Sequence, residues 1–426
     1  MGVSSRLAGG PGGGMSSRRL LWVTLSLAIL FFAAVAQAAA PKESDFSSAD
    51  VDSGKALTSL NQMASTNTDA VTPKKLRRQT TAAKCNQANL RVRKEWRNVP
   101  KPDRKSYIAA VQCLQTKPSL LDPAQFPGSK SIFDDFVVIH LLQTLNIHLT
   151  GTFLTWHRYF TWAFEEQLRS KCGYKGTVPY WEWGFDVKNP AASPVFDGSD
   201  TSMGSDGAFF SHPGLILTEP LDPTRLLPLP PGTGGGCVKS GPFSTMKVHI
   251  GPIALAQYGT PNTTGVPDPF NDHSRCLKRD LNPGVAQKWT TFRNTTQLIL
   301  QNTNIEKFQA IMQADPRYIH GSLGVHGGGH FTIGGDPGSD PFISPGDPAF
   351  YLHHSQIDRV YWIWQMLDYN NRKNVFGTRT FMNSPPSDPV TLDDVIDISP
   401  LAPPVKVRDL MSTVGVGGGP LCYVYA

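Results

Sequence analysis

The longest stretch with no solvated face is Asp347-Pro-Ala-Phe-Tyr-Leu-His-His-Ser-Gln-Ile-Asp-Arg-Val-Tyr-Trp-Ile-Trp-Gln365. Asp347 suits an N-cap, and Pro348 suits a first helical turn, where a missing N–H costs nothing. A helix apolar on nearly every side belongs in a core. Apolar spacing predicts a second helix from Ser131 to about Leu145, with Phe136, Val137, His140 and Leu141 on its inward stripe. A third runs from Trp156 to Lys171, packed by Phe160, Trp162 and Phe164. An amphipathic segment from Asn304 to about Gln313 predicts another. Helical periodicity is also read over Leu90–Trp96 and, with Pro102 near a start, over Pro102–Leu114.

Between these segments the pattern changes. Residues 187–247 are rich in Pro, Gly and Ser and read as an irregular insertion over the helices. Residues 39–78 hold mostly Ser, Thr, Asp and Ala, with little to bury, and are expected to form a disordered, propeptide-like segment. They end in Lys74-Lys-Leu-Arg-Arg78, which suggests a processing cut after Arg78 or else a solvated charge run. Residues 1–38 carry an apolar run from Leu20 to about Val35 and then Ala36-Gln-Ala38, the pattern of a cleaved secretory signal. The run is shorter than the ~20 residues a spanning helix prefers, which disfavours the alternative of an uncleaved anchor over about 20–36. Residues 79–426 are left as the main folded domain.

Composition adds little to this. The chain of 426 residues has a net charge of +6, but residues 1–78 hold nine Lys/Arg against five Asp/Glu. The remainder has 31 basic and 29 acidic residues, a net of +2. That offers no electrostatic case for nucleic acid or a membrane surface as partner. Cys85, Cys113, Cys172, Cys237, Cys276 and Cys422 are scattered without a CxxC pair, so in a secreted protein up to three disulfides are expected, in an order the sequence leaves open. Asn262-Thr-Thr and Asn294-Thr-Thr are glycosylation acceptors on the same assumption.

The chemistry lies in the histidines. Of eleven, six fall into two groups of three beside apolar residues: His140, His148 and His157, then His326, His330 and one of the pair His353 and His354. His326 and His330 share a helix face at i, i+4. His148 lies eight residues past His140, roughly 12 Å along an ideal helix, so the chain must turn to bring them together. Two trisimidazole sets on inner helix faces describe a dinuclear metal centre in a four-helix bundle, and all-nitrogen ligands suit copper. His-Glu-x-x-His is absent, which argues against a zinc hydrolase. The other histidines, His212, His249, His273 and His320, read as ordinary. Gly327, Gly328 and Gly329 inside His-x3-His cost about 1 kcal/mol each relative to alanine, so they must leave room for something.

These motifs resemble the type 3 copper family of tyrosinases, catechol oxidases and haemocyanins. Trp156-His157-Arg158-Tyr159 with His140 and His148 is similar to its first copper site. His326-x3-His330 with Asp347-Pro-Ala-Phe-Tyr-Leu-His-His-x3-Asp358 is similar to its second, and Pro179-Tyr-Trp-Glu-Trp183 matches a further family segment. The likeness spans about residues 90 to 425. It implies a mainly α fold: a four-helix bundle core, long irregular loops, few short strands and two bound copper ions. It implies His140, His148 and His157 on one copper and His326, His330 and His354 on the other, because the family's ligand stands four residues before the aspartate. His353 and Asp358 would support the ligands from behind, and Phe350 would pack on their rings.

The resemblance further implies an oxidoreductase that uses O2 to oxidise o-diphenols or o-aminophenols to o-quinones. Tyrosinase-type hydroxylation of monophenols and tailoring of phenolic metabolites or tyrosine residues are the alternatives. Good tyrosinases often carry Asn after the first histidine of the second site and a glutamate shortly before it. Here Gly327 takes the first place and Arg317–Val325 holds no acid, with Asp315 the nearest, so diphenol oxidation is expected. Asn146 stands where many relatives have a cysteine bonded to the ligand histidine, so no thioether forms. The chain ends at Tyr423-Val-Tyr425-Ala426 with no covering domain after it, which argues against an oxygen carrier and resembles the short fungal-type enzymes.

Overall fold

The computed structural model describes residues 40–71, 85–416 and 418–426. The signal segment and the processing site at Arg78 lie outside the described residues. The fold is mostly helical. Among the described residues the α-helices are α1 (Ser48–Ser53), α2 (Lys55–Val71), α3 (Lys101–Leu114), α4 (Ile132–Ile147) and α5 (Phe153–Cys172), followed by α6 (Pro283–Trp289), α7 (Phe292–Gln301), α8 (Ile305–Gln313), α9 (Gly324–Ile333) and α10 (Ala349–Leu367).

Local chemistry sets their ends. Ser131 caps α4 by accepting from the Asp134 N–H, and Asn304 caps α8 by accepting from that of Lys307. Gly173, in a left-handed conformation, stops α5. The carboxylate of Asp347 accepts from the Ala349 N–H at the start of α10 while Arg279 grips both its oxygens.

Every residue of α10 is buried. Around it α4 and α5 interlock through edge-on aromatic pairs: Phe136 meets Phe160, Phe164 and Tyr351 with ring centroids 5.1, 5.3 and 6.1 Å apart. The disulfide Cys113–Cys172 ties α3 to the end of α5, Cys237–Cys276 closes the insertion, and Cys85–Cys422 joins the two ends of the main body. The insertion and the stretch that follows it hold short antiparallel pairs, among them Leu215–Glu219 with Asp222–Leu229 and, after residue 247, Leu255–Ala256 with Thr263–Thr264.

Two sequence expectations are corrected. Arg91–Arg93 is not helical but a strand, paired in parallel with Tyr423–Tyr425. Alternation decides it: Arg91 and Arg93 both turn to Glu165, while Val92 points outward. The segment 39–78 is not disordered over its described part. In α2, Leu57, Leu60, Asn61, Ala64 and Thr68 fall at helical spacing and are buried against α10 and the core. Average composition hid this stripe because only a few large apolar residues carry it.

Candidate metal centre

Four helices deliver seven histidines to one place. His140 comes from the middle of α4, and His148 is the residue just past its end, where the chain turns as the spacing required. His157 lies in the second turn of α5, His326 and His330 on α9, and His353 and His354 on α10. The ligand-capable atoms of His140, His148 and His157 all lie within 4.8 Å of one another, and so do those of His326, His330, His353 and His354.

The first set is oriented by the backbone. Nδ1–H of His140 donates to the Phe342 carbonyl at 2.8 Å, that of His148 to Thr144 at 3.0 Å and that of His157 to Phe153 at 2.8 Å. A carbonyl only accepts, so each Nδ1 keeps its proton and each Nε2 keeps a lone pair. Nε2 of His140 and of His157 is buried with no hydrogen-bond partner. In the second set, Nε2 of His330 lies 3.1 Å from Nε2 of His354, and Nε2 of His326 is likewise buried and unpartnered. The sets face each other, the His157 and His354 rings stacking with centroids 4.5 Å apart.

Burial holds these imidazoles neutral. It pushes His148 down to about 4 and His330 to about 3. His140, His157, His326, His353 and His354 are driven well below the ordinary range by burial first and then by their neighbours' charge. Neutral rings with aimed, unsatisfied nitrogens and no thiolate or carboxylate among them fit a pair of transition-metal ions.

Residues 130–367 match the common central domain of tyrosinase. The chain belongs to the tyrosinase family. It is 38% identical over 338 residues to tyrosinase P of Aspergillus terreus, covering 78% of this chain and 91% of that protein. It is 36% identical over 355 residues to an N-acetyl-6-hydroxytryptophan oxidase of Emericella nidulans, covering 80% and 93%. A polyphenol oxidase variant from Thermothelomyces thermophila superposes with a TM-score of 0.80 at 37% identity, over 87% of this chain and 98% of that one. As a tyrosinase-family oxidoreductase it comes from a family of type 3 copper enzymes, and its two histidine clusters are compatible with that metal.

The glycines of α9 divide their work. A Cβ on Gly329 would stand 2.2 Å from Cε1 of His353, and one on Gly328 would stand 2.8 Å from Cβ of Trp289. Gly327 meets nothing nearer than Leu323 at 3.4 Å and faces a cavity of about 490 Å³. Glycine at 328 and 329 thus serves close packing, and only Gly327 borders open space. Phe350 stacks on His354 with centroids 4.1 Å apart. Trp183 leans on His353 at 5.4 Å.

Asp358 sits behind the ligand helices without touching a ligand ring. Its oxygens accept from Arg158, Tyr423 and Tyr425 and from no histidine, and Nδ1 of His354, one turn before it, is buried without a hydrogen-bond partner. Tyr-x-Tyr at the chain end was the one visible trace of this network. Asp315 is also unavailable as a base: Arg317 holds it, and it lies off the wall of the histidine cavity. Among the described residues the one carboxylate on that wall is Glu219, which accepts from His320 and from the Gly321 N–H. The other histidines have ordinary partners: His212 meets Asp280, His249 meets Asp272 and His273 meets the Asp268 carbonyl.

Proposed function

We propose that this protein is a dicopper oxidase that converts o-diphenols, or the corresponding o-aminophenols, to quinones with O2 as acceptor. His140, His148 and His157 hold one copper, and His326, His330 and His354 hold the other. When bound, the metal pair supplies the reduction of one O2 to two waters by the electrons of two diphenols.

The chain's own residues supply the rest. Backbone acceptors fix the Nδ1 protons of the first set, so the metal-facing nitrogens need no reorganisation. Phe350 and the helices behind it keep water away from those rings. The cavity opens onto His148, His326 and His330 between apolar walls that include Leu323 and Phe331. The observation that carries the reading is this: two facing sets of neutral imidazoles open onto an apolar cavity whose one carboxylate among the described residues, Glu219, is already engaged. A diphenol needs no strong base to reach the oxidised state, whereas deprotonating a monophenol needs one near the metal. The volume, about 490 Å³, falls within the roughly 300–1,000 Å³ typical of pockets for drug-sized ligands. That leaves room for a phenolic ring carried on a larger body, and a relative named for oxidising N-acetyl-6-hydroxytryptophan, a phenol with one hydroxyl on an indole, is in keeping with that size.

Three disulfides in the folded chain support passage through an oxidising compartment, in keeping with the secretory reading. The catalytic unit includes α1 and α2, so we draw its boundary before residue 48 rather than at 79.

Oxygen uptake by the copper-loaded full chain, with a catechol and its matched monophenol side by side, tests the proposal. Uptake with catechol alone is expected. Comparable uptake with the monophenol would make the enzyme a hydroxylating tyrosinase, and none with either, with two coppers bound, would remove the oxidase reading for simple phenols.

A further inference from the structure

The two glycosylation acceptors stand in opposite surroundings. Asn294 is the third residue of α7, and its Oδ1 accepts from the N–H and the hydroxyl of Thr291 in a reciprocal cap. Thr295 and Thr296 beside it are buried. Gln297, one turn on along the same face, donates to Glu43, and Arg293 pairs with Asp52. The N-terminal segment therefore packs beside Asn294, whose side chain is engaged in the cap and partly buried.

Asn262 is exposed in the connection between strands Leu255–Ala256 and Thr263–Thr264. Its backbone is held at both ends: the N–H donates to Thr260 Oγ1 at 3.2 Å, and the carbonyl accepts from Gln257 at 3.0 Å. Among the described residues nothing hydrogen-bonds its side-chain amide. With Ala254, Ala256, Pro261 and Thr263 it lines the rim of the cavity that reaches His148, His326 and His330.

We infer that Asn262, and not Asn294, carries an N-linked oligosaccharide that narrows the entrance of the histidine cavity and selects against phenols too long to lie wholly inside it. This rests on the secretory and phenol-oxidase readings above. In the modification Nδ2 of Asn262 loses a proton and bonds to the anomeric carbon of a lipid-diphosphate-linked oligosaccharide. The bond from that carbon to the diphosphate oxygen breaks, and the lipid diphosphate leaves. The sugar grows from the cavity rim, where its inner rings share space with any substrate too large to lie wholly inside.

The full chain is expressed in a secreting eukaryotic host, and peptide mass spectrometry maps both acceptors before and after enzymatic deglycosylation. Occupancy at Asn262 with Asn294 bare is expected. A bare Asn262 or an occupied Asn294 would overturn the assignment, whatever the enzyme oxidises. Thr264→Ala then destroys the acceptor sequence without touching Asn262. It should raise kcat/KM several-fold for a catechol bearing an appended aromatic body long enough to reach past the rim and leave that for catechol unchanged. Equal effects on both substrates, or none, would overturn the entrance role. Absence of oxidation by both proteins would instead sink the phenol-oxidase reading, with the occupancy map still standing.

Discussion

Arg158 donates from Nε to Oδ1 of Asp358 across 2.5 Å, and both side chains are buried. Arg158 follows His157 on α5, and Asp358 stands one turn beyond His354 on α10. The ion pair therefore clamps the two helices beside the point where the His157 and His354 rings stack. Tyr423 and Tyr425 donate to the other oxygen at 2.6 Å each, which brings the C-terminal strand into the same clamp. Burial pushes the Asp358 carboxyl up, but Arg158, Arg93 and the two phenols outweigh it and hold it below the ordinary range.

Asp358→Asn leaves two buried guanidiniums short of an anion, and breaking such a pair costs about 3–5 kcal/mol. Because the folded carboxyl is depressed, its contribution is complete above the unfolded value of about 4 and is lost as pH falls further. Denaturant titrations should show a wide gap between wild type and variant at pH 7 that closes in acid. A gap that persists undiminished in acid would mean the pair is not its source.

Gly327 and Gly329 should respond oppositely to alanine. At 329 the new methyl collides with the His353 ring, and overpacking of this kind costs typically ~1–3 kcal/mol. At 327 it meets only ordinary contacts, so better helix propensity should stabilise by up to about 1 kcal/mol. Thermal melts of the two variants give the signs directly; equal destabilisation would refute the division of labour along α9.

Much of this site was legible in the sequence, because its logic is local. Apolar runs marked α4, α5 and α10, His326 and His330 announced a shared face by spacing, and the eight-residue gap from His140 forced the turn at His148. What stayed hidden depends on long-range packing. Nothing near Asp358 in the chain names Arg158 or the tyrosines as its partners. The carbonyls of Phe342, Thr144 and Phe153 belong to a backbone every residue possesses. The buried stripe of α2 was masked by its polar surroundings, and Arg91–Arg93 was misread because charged residues rarely face inward in alternation.

His353 and His354 are adjacent, yet only His354 aims Nε2 at His330. Neither ring nitrogen of His353 has a hydrogen-bond partner, and its ring is wedged between Gly329 and Trp183. His354→Ala should bind about one copper fewer per chain by elemental analysis. His353→Ala should keep both ions while melting at a lower temperature. The reverse stoichiometry would exchange their roles.

The metal-free protein should be acid-sensitive through its histidines. Their folded values are depressed, His148 to about 4 and His330 to about 3, so the unfolded chain binds protons that the folded chain refuses. Stability is then complete above the unfolded value of about 6.5 and declines as pH falls toward the folded ones. Replacing His330 with Gln should remove about one proton from the slope between pH 6 and 4, or about 1.4 kcal/mol per pH unit. An unaltered slope would show that His330 is not among the groups kept neutral.

Removing residues 1–78 should damage the enzyme rather than release it. Leu57, Leu60 and Ala64 would leave the core, and Asn61 would no longer accept from Nε of Arg359 at 3.0 Å. Arg359 also donates to Glu182 at 2.7 Å, and Glu182 precedes Trp183, which leans on His353. The N-terminal helix is thus joined to the metal centre through a short buried chain. Leu60→Ala alone should cost about 2–5 kcal/mol, the range for emptying a packed leucine site. A chain beginning at Gln79 should melt well below the full protein and aggregate at lower temperature, since the uncovered face of α10 is apolar. If it melted with the full chain and bound two coppers, the helix would be a passenger and the boundary at residue 79 would stand.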